Sequence, residues 1–292
     1  MGTLGWCPGK KNTMTCTCEF RNPKGTATSV IIRENRLLLV KRNQEPFKGA
    51  WDLCGGYMQE GETPEQTIRR EVKEELGVEV TEATRIKDFP GVAKWKDSLN
   101  PIISHVFLVD FEGQINLDGE NSDFAWYPLK DLNPEDISFD SNQRITAWVK
   151  ENWTYDLDRV KELVRQLDPA AEIKEQNLYK ATLNGYVSRI YDRFDPSKPN
   201  GYENGKLIAM GWIYPRQTLL RNQAVIEDMI VDELYRGKGL GRAILQDLIQ
   251  WAREKKIEVI ELTTGHHRIA AGKLYESEGF KIHDTKHMLL NL

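Results

Sequence analysis

Glu71, Glu74 and Glu75 stand at spacing i, i+3, i+4, so a helix would crowd their carboxylates onto one side, where like charges repel by roughly 0.2–0.5 kcal/mol per pair. A divalent cation would turn that cost into binding. Hard carboxylate oxygens suit Mg²⁺ or Mn²⁺, ions that commonly also bind substrate phosphates. The helix itself is coded locally. Thr63-Pro64-Glu65-Gln66 reads as a capping box with Pro at the first helical position, Ile68, Val72 and Leu76 repeat at i, i+4, i+8, and Gly77 supplies the stop. On a helical wheel Glu71 and Glu75 flank that apolar stripe and Glu74 lies further round, so the acidic cluster borders the core. The competing reading is a solvated acidic face. The positions of Gly56, Glu62 and Arg70 weigh against it.

Read from Gly56 through Glu62, Arg70-Glu71-Val72, Glu74-Glu75 and Gly77-Val78, the segment resembles the Nudix box at every defined position. The resemblance implies that Glu71, Glu74 and Glu75 hold the metal with the Gly56 carbonyl, and that Glu62 and Arg70 form a supporting ion pair. It also implies metal-assisted hydrolysis of a nucleoside diphosphate linked to another group, with Mg²⁺ (or Mn²⁺) neutralising the diphosphate and lowering the pKa of a bound water. The proton acceptor varies in this family. Candidates are the box residues Glu74 and Glu75, or Glu120 in the loop Asp118-Gly119-Glu120-Asn121-Ser122-Asp123, where plain turn chemistry is the alternative. Cys54 stands where such families often have Pro, a change that could shift the loop before Gly56. Beyond the box the sequence leans towards an ADP-ribose-like conjugate without a signature for it. Pro90 is not at a convincing spacing for the proline that some ADP-ribose hydrolases use.

A second chemical signature lies at Arg236-Gly237-Lys238-Gly239-Leu240-Gly241-Arg242. It follows a strand pattern over Ala224 to Val231 and opens a helix marked by Leu240, Ile244, Leu245, Leu248, Ile249 and Ala252. Strand, glycine loop and helix N-terminus make an anion site, with the three basic side chains adding positive field. An ordinary tight turn is the alternative, and the spacing is neither a dinucleotide fingerprint nor a P-loop. Together with Leu274-Tyr275-Glu276-Ser277-Glu278-Gly279-Phe280, the segment resembles the acetyl-CoA loop and later motif of GNAT acetyltransferases. The resemblance spans roughly 158–292. It implies acetyl transfer from acetyl-CoA to an amine, with main-chain groups of Met229, Ile230 and Val231 holding pantetheine. It further implies Tyr275 as donor to the departing thiolate and Glu227 or Asp228 as proton acceptor. Strand alternation lets only one of those two face the cleft. Adjacent His266 and His267 suit a loop contact or surface pair better than a metal site.

These elements predict a mixed α/β chain of two domains. The first, 23–153, is expected to be a Nudix α/β/α sandwich; the second, 158–292, a GNAT fold with a mixed central sheet flanked by helices. Strands are expected at Ala27–Ile32, Arg36–Lys41, Ile102–Phe111 and Val259–Thr263, and helices at Asn142–Trp153 and Ala270–Glu278. Residues 1–22 read as a leader; Cys7, Cys16 and Cys18 lack the paired C-x2-C knuckles of a zinc ribbon, which argues against zinc. A net charge of −4 over 292 residues gives no electrostatic case for nucleic acid or membrane. No apolar run is long enough to span a bilayer and no signal-peptide core is evident, so a cytoplasmic location is expected. The expected partners are a small nucleotide substrate, acetyl-CoA and an unidentified amine; oligomeric state is not legible. The alternative to a bifunctional enzyme is one catalytic domain beside a nucleotide-sensing or acetyl-CoA-sensing one.

Overall fold

The computed structural model describes residues 22–95, 98–117, 119–192, 205–283, 288 and 290. The expected leader with its three cysteines and Asp118 lie outside these residues. The chain divides into two compact units between Thr154 and Tyr155.

In the first unit, β1 (Lys24–Val30) leads through β2 (Ile32–Arg33) into β3 (Arg36–Arg42). The two-residue turn between β2 and β3 places Glu34 and Asn35 at φ 51° and 58°, the pairing of positive φ values that suits the right-handed twist of a hairpin. Next come β4 (Trp51–Asp52), β5 (Gly55–Tyr57) and α1 (Pro64–Leu76). The antiparallel pair β6 (Glu79–Trp95) and β7 (Ser98–Glu112) is followed by β8 (Asn121–Pro128) and α2 (Asp140–Trp153). One sheet has the order β5-β1-β7-β6, with β1 and β7 parallel; in the other, β3 lies between β8 and the short strands β2 and β4.

The sequence of α1 explains where it sits. Thr63 and Gln66 cap its first turn reciprocally, Pro64 opens it, and Gly77 closes it at φ 67°, where glycine bears no Cβ penalty. Its stripe of Ile68, Val72 and Leu76 is fully buried against Ala27, Ile31, Leu38, Val40, Phe107 and Val109, side chains drawn from both sheets. That contact fixes the rotation of the helix. The carboxylates beside the stripe are therefore carried to the edge of the core.

The second unit runs α3 (Leu157–Leu167), α4 (Glu175–Asn184), β9 (Tyr186–Tyr191), β10 (Leu207–Gln217), β11 (Asn222–Val231), α5 (Leu240–Glu254), β12 (Val259–Leu262) and α6 (Ile269–Ser277). Its sheet has the order β12-β11-β10-β9, with β11 and β12 parallel and the other pairs antiparallel. Ile244, Leu245, Leu248 and Ala252 of α5 pack on Ala209, Ile213, Ala224 and Ile226. On the opposite face of β10, Trp212 Nε1 donates to Ala181 O of α4 at 3.0 Å. Helices thus cover both faces. Among the described residues no helix is long and apolar enough to cross a membrane.

Candidate functional site

Arg70 organises the acidic face of α1. Its Nε and Nη2 bind the two oxygens of Glu62 at 2.7 and 3.0 Å, and its Nη1 donates to Glu71 at 2.7 Å and Glu74 at 2.9 Å. Nη2 also donates to Tyr57 O at 3.1 Å. The Glu62 carboxyl, which accepts further bonds from Gln59 N and Thr67 Oγ1, is held down at about 2, chiefly by Arg70. Glu71 lies directly over Gly56, where any Cβ would collide with its carboxylate. A side chain at 56 would evict it.

The three box carboxylates occupy different environments. Glu74 is exposed, Glu71 is half-buried and Glu75 is buried. Burial raises Glu71 above the ordinary carboxylate range, and the negative charges of Glu74 and Glu120 add to the rise. Burial pushes Glu75 up to about 8 despite bonds from Gly55 N at 3.0 Å and Asn121 Nδ2 at 2.8 Å. With Arg70 binding two of the three and Glu75 turned inward, no group of three His, Cys, Asp or Glu side chains converges on one point among the described residues. The donor set nonetheless fits a hard divalent ion: clustered carboxylate oxygens, two of them with costly ionisation that a cation would relieve.

Glu120 reaches this cluster electrostatically from the far side. Its carboxylate accepts from Gln44 Nε2 at 3.0 Å, its carbonyl accepts from Asn43 N at 2.9 Å, and Asn43 Nδ2 donates to Gly119 O at 3.0 Å. Behind β4 lies a network that the sequence did not disclose. Asp52 is buried, accepts from Asn142 Nδ2 at 2.6 Å and pairs with Arg42 at 3.4 Å, and burial pushes its carboxyl up to about 7. Cys54 is buried in the core, and its carbonyl accepts from both Ser29 N and Ser29 Oγ at 2.9 Å. Gly55 follows at φ 152°, with Ala27 O so close that no Cβ would fit. Pro90 sits within the β6–β7 pairing opposite Ile103.

In the second unit a cleft of about 890 Å³ is lined by Met229, Ile230, Val231, Arg236, Gly237, Gly239, Leu240, Gly241, Arg242 and Tyr275. Gly237 and Gly239 adopt φ 78° and 81°, and no side chain caps the first turn of α5. Amide donors at this helix start are thereby presented to the cleft. Lys238 is not among the lining residues; its ammonium lies 4.7 Å from the Tyr235 ring centroid. Arg242 is committed to α6 through Ser277 Oγ and Glu278 Oε1, each at 2.9 Å. Tyr275 is half-buried against Phe280, and burial holds its hydroxyl above the ordinary tyrosine value.

Strand alternation does not decide between Glu227 and Asp228, because β11 is bulged. Trp212 pairs with Glu227 and Met210 with Ile230, so Gly211 alone faces Asp228 and Met229, and Asp228 takes φ 51°. The extra residue breaks the period of two. Glu227 is half-buried, Asp228 is exposed, and neither lines the cleft. His267 does line it, folded over Gly265.

Sequence reasoning also missed what anchors this loop. Arg159 of α3, buried, binds the buried Asp232 carboxylate and donates to Leu207 O at 2.7 Å. Asp232 caps the short 3₁₀ turn Glu233–Tyr235 by accepting from Leu234 N at 2.9 Å. Gln166 Oε1 accepts from Glu233 N at 3.0 Å, and Arg268 donates to Leu167 O at 3.1 Å. No local signal marks such partners.

Comparison with known proteins agrees with both halves. A family model described as NUDIX domain matches residues 23–149, and one described as Acetyltransferase (GNAT) family matches 162–280. The chain is 30% identical over 134 residues to an ADP-ribose pyrophosphatase of Methanocaldococcus jannaschii, covering 45% of this chain and 76% of that protein. It is 34% identical over 101 residues to the nucleoside triphosphatase NudI of an Enterobacter species, covering 32% and 71%. Its fold is also similar to that of a Trypanosoma brucei acetyltransferase, with 24% identity, a TM-score of 0.36, and 47% of this chain and 94% of that one covered. Both are families of enzymes. The chain belongs to the Nudix family through its first unit and carries a GNAT acetyltransferase domain in its second.

Proposed function

We propose that the first unit hydrolyses a nucleoside diphosphate linked to another moiety, with an ADP-ribose-like conjugate as the preferred class. The acidic face of α1, ordered by Arg70 and capped by Glu71 over Gly56, is the observation that carries this reading. The similarity to an ADP-ribose pyrophosphatase supports the substrate class. Glu71, Glu74, Glu75 and the Gly56 carbonyl would hold Mg²⁺ or Mn²⁺, which supplies neutralisation of diphosphate charge and activation of water. Arg70 and Glu62 keep the carboxylates in place. Glu120, held by Gln44, accepts the proton of the water that attacks phosphorus as the bridging P–O bond breaks. The products are a nucleoside monophosphate and the phosphorylated remainder.

In the second unit, acetyl-CoA occupies the cleft, its pyrophosphate on the amides around Gly237 to Gly241 and its pantetheine along Met229 to Val231. The acceptor amine attacks the thioester carbonyl, the C–S bond breaks, and the thiolate takes the Tyr275 proton. The raised Tyr275 hydroxyl is a donor that stays protonated at neutral pH. Glu227, or Asp228 beside it, takes the amine proton through water, since neither lines the cleft itself.

The test is mass-spectrometric product analysis of the full chain with Mg²⁺ and a panel of nucleoside diphosphate conjugates, alongside Glu74→Gln and Glu120→Gln. Nucleoside monophosphate released by the wild type and lost in Glu74→Gln is the expected result. A normal rate for Glu120→Gln would remove it as the proton acceptor. No turnover of any conjugate would overturn the hydrolase reading. Acetylation is checked separately with an amine panel and acetyl-CoA; tight acetyl-CoA binding without acetylation of any amine would favour a sensor.

A further inference from the structure

Asn121 opens β8 with its side chain buried, although the residues that follow it, Ser122 and Asp123, are both exposed. A regular strand would not place them so. The cause is an irregularity in the β3–β8 ladder: Lys41 pairs with Asp123, but Arg42 pairs with Asn121, leaving Ser122 as the extra residue. Such a bulge re-aims a side chain. Here it turns Asn121 towards α1, where Nδ2 donates to Glu75 Oε2 at 2.8 Å while Gly55 N donates to Oε1 at 3.0 Å.

Both oxygens of Glu75 are thus held from outside its own helix, one by the segment before the box and one by the segment after Gly119. Each carboxylate oxygen has two lone pairs, so one hydrogen bond apiece leaves capacity for a cation. Asn121 is also the residue after Glu120, whose main chain and side chain are tied to Asn43 and Gln44. A single short segment therefore touches the acidic helix and carries the candidate proton acceptor.

We propose that Asn121 is a positioning residue, which sets the orientation of the Glu75 carboxylate for metal binding and couples it to the segment bearing Glu120. The proposal rests on the metal-site reading given above. An amide serves here because it donates without adding charge beside three carboxylates. Neither the box pattern nor the family resemblance singles it out, since it lies 46 residues from its partner.

The test measures Mn²⁺ binding by electron paramagnetic resonance on the substrate-free full chain, for the wild type, Asn121→Ala, Asn121→Leu and Glu71→Gln. Leucine keeps the volume and removes the donor, so it carries the test if the alanine variant folds poorly. Both Asn121 variants are expected to bind Mn²⁺ about 10–100-fold more weakly. In turnover, their Mg²⁺ activation constant rises by a similar factor, while kcat at saturating Mg²⁺ returns towards the wild-type value. A purely structural role would lower kcat at every Mg²⁺ concentration. Unchanged Mn²⁺ affinity in a folded Asn121 variant, with binding lost in Glu71→Gln, overturns the positioning role alone. Equal binding by wild type and Glu71→Gln would place the metal elsewhere and overturn the underlying reading as well.

Discussion

Arg70 binds three carboxylates and a carbonyl with one guanidinium, a task that depends on its planar array of donors. Lysine offers a point charge on a flexible stem and cannot reproduce the two-oxygen contact with Glu62. Arg70→Lys is expected to lower hydrolase activity about 10–100-fold with helix content retained. Steady-state kinetics beside circular dichroism checks this. The Glu62–Arg70 pair was legible only through the family resemblance, whose contiguous motif holds both residues. The Asn121–Glu75 and Arg159–Asp232 contacts were not, because their partners lie 46 and 73 residues apart and meet only once the sheets have formed.

At the level of elements, helices with local punctuation were the most readable. Thr63, Pro64 and Gly77 mark α1 within its own sequence, and Gly239 opens α5. By contrast, β6 went unread over Glu79–Trp95: its Thr81-Glu82-Ala83-Thr84-Arg85 stretch offers no apolar run, and its pairing with β7 shifts register twice. The bulge in β11 was equally hidden, since nothing local to Asp228 announces that Gly211 on β10 will face two residues. Gly211 is where that geometry is most sensitive. A Cβ there would lie 2.8 Å from Ile244 Cγ2, 3.0 Å from Met229 Cγ and 3.2 Å from Leu248 Cδ1. Gly211→Ala is expected to cost about 1–3 kcal/mol of stability through overpacking. It should also raise the KM for acetyl-CoA, because Met229 and its neighbours line the cleft. Urea denaturation and initial-rate kinetics distinguish the two effects.

The whole molecule inherits a pH dependence from its first unit. Asp52 and Glu75, at about 7 and about 8, hold protons more tightly folded than unfolded. For acids with raised folded values, stability is greatest below the unfolded pKa and is lost as pH climbs through the folded one. Glu62 works oppositely, but its window lies at acid pH, between about 2 and its ordinary value. Metal-free protein is therefore expected to lose stability from about pH 4 to pH 8, and Asp52→Asn to flatten the slope. Urea midpoints taken in EDTA at several pH values test this, and a slope unchanged in Asp52→Asn would assign the effect elsewhere.

The division between the two units has a narrow margin. Trp153, the last residue of α2, has no exposed surface, and Tyr155, the first residue of the next unit, has 3%. Between them stands Thr154 alone, and its hydroxyl still donates to Lys150 O of α2 at 2.6 Å. For gene splicing this means a seam one residue wide. A cut just upstream deletes a large fully buried side chain from the first core, whereas one just downstream strips the second of its opening aromatic anchor. Exchange of either half with another protein must respect that single position.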